Sequence, residues 1–135
     1  MKKFEFLEHT ADIKFQAFGN TLEEVFENSA LAMTNSMYDG KVKEKIIKKI
    51  KVKGKDNERL LYEFLEELLF LLDSEDFILS NVKKIKINKN DLEAEIIGDK
   101  ASDYEIHIIV KAVTYNEMFV KKIKNNWVCQ VILDV

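Results

Sequence analysis

Cysteine occurs once, at Cys129, so the chain can form neither an internal disulfide nor a cysteine zinc cluster. A lone thiol fits a reducing compartment. Proline is absent, glycine occurs four times and arginine once, at Arg59. No linker, repeat or low-complexity stretch divides the chain, which predicts a single domain over 1–135. The longest purely apolar run is Leu68–Leu72, far short of the ~20 residues of a membrane span. The opening Met1–Glu8 is basic and then apolar, but Glu5 and Glu8 interrupt it before a signal-peptide core can form. These absences predict a cytoplasmic protein with no membrane contact. There is also no phosphate loop, GxGxxG, nucleophile elbow or HExxH. Ser29 and Ser102 have no evident base, and Cys129 lies in an apolar strand pattern where a thiol is inert.

Charge and size bound the rest. At 135 residues the chain can bury roughly 65–70% of the surface it exposes when unfolded, enough for a core without staples. The net charge of −3 gives no strong pull toward phosphate backbones. RNA, if involved, is then held by another protein. The Lys- and Glu-rich composition fits a hyperthermophile or an AT-rich genome equally well.

Two segments carry the helical period. Thr21 and Glu24 stand at capping-box spacing, and Leu22, Val25, Phe26, Ser29, Ala30, Met33 and Met37 form one face, with a stop at Gly40. Asp56 caps a second helix, whose stripe runs from Leu60 and Leu61 to Leu72 and ends near Asp73. Elsewhere residues alternate with period two: around Ile13–Ala17, Lys49–Lys53, Lys84–Ile87, Leu92–Ile96, Tyr104–Val113, Met118–Ile123 and Trp127 onward. Asn88–Asp91 has hairpin chemistry, and Asn125-Asn126 suits a tight turn. The expected order is strand, strand, helix, strand, helix and then five strands. Late strands without intervening helices argue against a doubly wound parallel sheet. The prediction is α+β: mostly antiparallel sheets, sandwich-like, with two packed helices.

Asp12 sits in a polar junction with Glu8, His9 and Thr10, between apolar strands. A local turn, with Asp12 and Thr10 bonding nearby backbone, accounts for it on its own. Asp134 and the carboxylate of Val135 place two negative groups within a few ångströms, which repel unless a cation neutralises them. A solvated chain end is the simpler account. Taken together, Asp12, Asp134 and Val135 offer oxygen-only ligands, suited to Ca²⁺ or Mg²⁺ rather than zinc, with Mn²⁺ a further option. Three carboxylates fall short of the ~6–8 oxygens that Ca²⁺ takes, so waters or a partner complete the shell. Lys111, on one parity with Glu105, His107 and Ile109, is a candidate to pair with these carboxylates or to touch a phosphate; a snorkelling lysine is the alternative. The Lys41–Lys55 stretch reads as a solvated strand face, because it lacks the aromatic interleaving of RNA-binding surfaces.

The stretch Phe6-Leu7-Glu8-His9-Thr10-Ala11-Asp12-Ile13, then Ala17-Phe18-Gly19, Thr21–Glu24 and Phe26–Met33, closely resembles the opening of archease proteins. The ending resembles theirs as well: Val110-Lys111-Ala112-Val113-Thr114-Tyr115, Trp127 and Val131-Ile132-Leu133-Asp134-Val135. Asn116 stands where many members carry His, and Lys14 where a small residue is common. The resemblance implies a non-catalytic accessory protein of an RtcB-type RNA ligase in tRNA splicing. It would promote ligase guanylylation and multiple turnover and meet RNA only through the ligase. It also implies that Asp12, Asp134 and Val135 bind a divalent cation, with Lys111 near the same tip and His9 as the motif histidine. Two other readings of the residues remain: a carboxylate-dependent hydrolase using Asp12 and Asp134, and an RNA-binding or chaperone-like module acting through the lysine face. The sequence leaves the oligomeric state open.

Overall fold

A computed structural model describes residues 2–9 and 11–135. Thr10, assigned a part in the turn before Asp12, lies outside the described residues. The strands are β1 (Phe4–Leu7), β2 (Ile13–Gly19), β3 (Ile46–Lys53), β4 (Phe77–Asn88), β5 (Asp91–Lys100), β6 (Ala112–Ile123) and β7 (Asn126–Asp134). The helices are α1 (Leu22–Met37) and α2 (Asn57–Glu75), with a 3₁₀ turn at Ala101–Asp103. No helix among the described residues is long and apolar enough to cross a membrane.

Two antiparallel sheets form, ordered β1-β2-β7-β6 and β3-β5-β4. The α+β class is as the sequence predicts. The helices lie between the sheets: α1 packs on β1, β2 and β7 of one sheet and on β4 of the other, and α2 on β6 and on β3, β4 and β5. Each helix therefore buries more than one stripe, including the small residues Ser29, Ala30 and Ala32 of α1. Phe26 and Phe64 stack where the helices meet, at 6.1 Å between ring centroids. The inner face of each sheet feeds this core: Phe15, Ala17, Cys129, Val131 and Leu133 from one, Ile50, Leu92, Ala94 and Ile96 from the other. A small second cluster of Val42, Ile78 and Ala101 lies apart from it.

Capping follows the sequence. The Thr21 hydroxyl accepts from the Glu24 N–H, and the Glu24 carboxylate accepts from the Asn20 N–H. Asp56 accepts from the Arg59 N–H. Helix α1 ends at Tyr38 rather than Gly40, and α2 at Asp76, whose φ of 53° breaks the helical path.

One segment departs from expectation. The alternation of Tyr104, Ile106, Ile108 and Val110 predicts a strand, but 104–111 pairs with none. It crosses from the three-stranded sheet to the four-stranded one, held by the His107 N–H on the Met37 carbonyl. Four strands, not five, follow α2, because β6 is continuous from Ala112 to Ile123. The last tight turn is at Lys124-Asn125, with the positive φ at Lys124, one residue earlier than read.

Candidate functional site

Three distant segments meet at one end of the four-stranded sheet. In the β2–β7 ladder the terminal pair is Ile13 opposite Leu133. One residue further in each chain direction stand Asp12 and Asp134. On the other side of β7, Ala112 lies opposite Asp134, and the Lys111 N–H donates to the Asp134 carbonyl at 2.7 Å. Asp12 is half-buried, while Asp134 and Lys111 are exposed. Val135 packs against the main core, so this end is pinned and not frayed. Lys111 precedes β6 instead of lying within a strand, so its assumed shared face with Glu105, His107 and Ile109 is not formed.

The alternation of β7 puts Cys129, Val131 and Leu133 on the helix side, leaving Gln130, Ile132 and Asp134 on the outer face. Beside them on β2 lie Lys14 and Gln16, opposite Ile132 and Gln130. Sequence reasoning missed one residue here. Glu117 reaches Lys14 Nζ at 3.0 Å and stands 3.9 Å from His9 Nε2. Its φ of 53° is a left-handed conformation that costs a residue of this type roughly 1 kcal/mol or more. The signal available in sequence was weak: Thr114–Met118 carries no clean alternation.

The donor set at the tip fits a hard cation in part. Asp12, just before β2, and Asp134, at the end of the neighbouring β7, both carry oxygen donors of the kind such a cation takes. Among the described residues no group of three or more His, Cys, Asp and Glu side chains gathers to hold a metal. Side chains alone thus supply an incomplete shell, and an ion held there would keep water or ligands from a partner.

The profile of the archease protein family (MTH1598/TM1083) matches residues 4–135. The chain belongs to the archease family. It is 40% identical to the protein archease of Methanosarcina acetivorans, over 99% of this chain and 97% of that one. It is also 40% identical to the archease of Sulfurisphaera tokodaii, with both chains fully covered. The solution structure of Methanobacterium thermoautotrophicum protein 1598 superposes with a TM-score of 0.84 at 37% identity, over all of both chains. A crystal structure from Thermotoga maritima, described as an archease and possible chaperone, shares the fold with a TM-score of 0.67 at 20% identity, covering 96% of this chain and 94% of that one. Three of the archease-like segments, residues 6–9 with 11–13, 110–115 and 131–135, converge at this tip. Lys14 and Asn116, where the sequence departs from the archease pattern, both lie beside Glu117 or in contact with it.

Elsewhere several polar residues of this chain bond or pair within the fold. The lysines of β3 stand opposite acids of β5: Lys49 opposite Glu95, Lys51 opposite Glu93, Lys53 opposite Asp91. Burial pushes the Cys129 thiol up to about 11, and its sulfur lies 2.9 Å from Ser29 Oγ inside the core. Ser102 Oγ donates to Asp76.

Proposed function

We propose that this protein is an accessory activator of an RtcB-type RNA ligase in tRNA splicing, working through a divalent cation at Asp12 and Asp134. The reading is supported by the Ile13–Leu133 pair, which brings Asp12, just before β2, and Asp134, at the end of β7, to the same end of the sheet in a chain whose residues 4–135 match the archease family. Asp12 and Asp134 would hold the ion, Ca²⁺ in the isolated protein and Mg²⁺ or Mn²⁺ as alternatives. The carboxylate of Val135 would add a donor where that residue ends the chain. When bound, such an ion supplies positive charge beside a phosphate. The chain's own part is geometric. The Lys111 N–H fixes the Asp134 backbone, and the packed Val135 side chain keeps that backbone from fraying. The exposed Lys111 side chain adds a point charge at the same edge, free to meet a phosphate. An incomplete ligand shell leaves positions for ligands from the ligase or its nucleotide, so the protein acts as a partner and performs no covalent step.

The test is a guanylylation assay of the cognate ligase with substoichiometric amounts of this protein. The parent accelerates guanylylation over many turnovers. Asp12→Ala abolishes the acceleration while its thermal melt stays within a few degrees of the parent. Normal stimulation by that variant removes the tip from the mechanism.

A further inference from the structure

Strand β6 is irregular between Thr114 and Phe119. Thr114 pairs with Ile132 and Phe119 with Gln130, so the four residues Tyr115–Met118 stand against Val131 alone. The excess chain is not slack. Gln130 Nε2 donates to the Glu117 carbonyl at 2.8 Å, and Gln16 Nε2 donates to Gln130 Oε1 at 2.9 Å. The Thr114 hydroxyl donates to the Ile132 carbonyl at 2.9 Å. Glu117 takes its left-handed φ inside this net. The result is an arm from β6 that crosses over β7 to β2. Lys14 lies opposite Ile132, which lies opposite Thr114, so the Glu117–Lys14 pair spans three strands on the outer face. Beneath it Ile132 is 1% exposed, although it belongs to neither hydrophobic cluster. His9, from the β1–β2 connection, stands against the other oxygen of Glu117. That connection also carries Asp12.

We propose that Glu117 is a positioning residue: with Lys14 and His9 it straps the β1–β2 connection across β7 and so sets where Asp12 stands relative to Asp134. The inference rests on the reading of these two acids as cation ligands. Strain of this kind persists where surrounding structure enforces it, and it concentrates at functional sites. A strap and a simple charge effect predict opposite signs for one substitution. Lys14→Gln removes a positive charge near the tip, which by Coulomb's law alone tightens cation binding. If Lys14 acts by holding Glu117 and the connection, the same change weakens binding.

The experiment measures calcium binding by titration calorimetry, and amide hydrogen exchange at Glu8–Ile13 without added cation. The proteins are the parent, Lys14→Gln, Glu117→Gln, the double variant and Asp12→Ala. Lys14→Gln and Glu117→Gln each weaken calcium binding about three- to tenfold. The double variant is no weaker than the worse single, because both changes cut one link. Exchange at Glu8–Ile13 speeds up in all three strap variants. Tighter binding by Lys14→Gln, or unchanged exchange in the strap variants, overturns the proposal. If Asp12→Ala binds calcium as the parent does, the cation reading falls, and the exchange rates still decide the strap.

Discussion

Asp99 is 4% exposed on the outer side of β5, where its carboxylate accepts from the Tyr104 hydroxyl at 2.6 Å and from the Lys100 N–H at 2.8 Å. The Tyr104 hydroxyl in turn accepts from the Lys43 N–H, so one residue ties the segment after α1 to the sheet. The Tyr104 hydrogen bond, above all, holds Asp99 below the ordinary carboxylate value of 3.8. A lowered folded pKa means that the unfolded chain takes up the proton first as pH falls. The Asp99 contribution to stability is therefore complete above pH 3.8 and is lost as pH drops through the lower folded value. Urea melts across the acid range should show this loss in the parent and a flatter acid limb in Asp99→Asn. Equal slopes would remove Asp99 from the acid response. Cys129 gives a second expectation at this scale. A thiol pushed up to about 11 and enclosed in the core should resist alkylation at neutral pH until the protein unfolds. Rapid labelling of the native protein by iodoacetamide would contradict it.

At the scale of the element, α2 does more than bury its leucines. Its Glu66 carboxylate accepts from the Val113 N–H at 2.8 Å, and Glu58 accepts from the Val120 N–H at 3.1 Å. β6 is an edge strand, and these acids occupy backbone donors that would otherwise invite another chain. Glu66→Ala should cost about 1–3 kcal/mol in denaturant melts, the range for a charged hydrogen-bond partner removed. A loss below ~0.5 kcal/mol would make the contact incidental. Nothing local in the sequence names the acceptor role of these two glutamates, because the strand donors they meet lie 47 and 62 residues away. Gly98 has a tighter requirement. A Cβ there would lie 1.9 Å from the Ile78 carbonyl oxygen, backbone that cannot swing away. At Gly40 the atoms nearest a Cβ belong to the Tyr38 ring, a side chain and not backbone. Gly98→Ala should destabilise by ~3 kcal/mol or more, the upper end for overpacking, while Gly40→Ala should cost far less. Similar melting temperatures for the two variants would refute the distinction. The 104–111 segment shows why the reading of elements stopped short. Its alternating Ile and Val have strand character, but a strand needs a neighbour, and this segment runs between the sheets.

For the molecule as a whole, the lysine-rich stretch from Lys41 to Lys55 is balanced across strands by Glu93, Glu95 and Asp91. Ion pairs at 3.4 Å for Lys51–Glu93 and 3.9 Å for Lys53–Asp91 spend part of its charge within the sheet. On its own the protein should hold single-stranded RNA no more tightly than the ~10⁻⁴–10⁻⁶ M of non-specific binding. Filter binding across a salt series tests this, and nanomolar affinity with a steep slope would favour the lysine face as an RNA site. The helix starts at Thr21 and Asp56, the alternating strands apart from the one expected over 104–111, and the archease-like end motifs were legible in sequence. Capping, periodicity and motif matching depend on residues only a few positions apart. Tertiary structure alone decided that Ile13 pairs with Leu133, bringing Asp12 and Asp134 to one end of the sheet, that the helices separate the sheets and that Glu117 crosses β7 to Lys14. Strand register and layer order come from pairing between distant segments, and no local propensity encodes which distant partner a strand will meet.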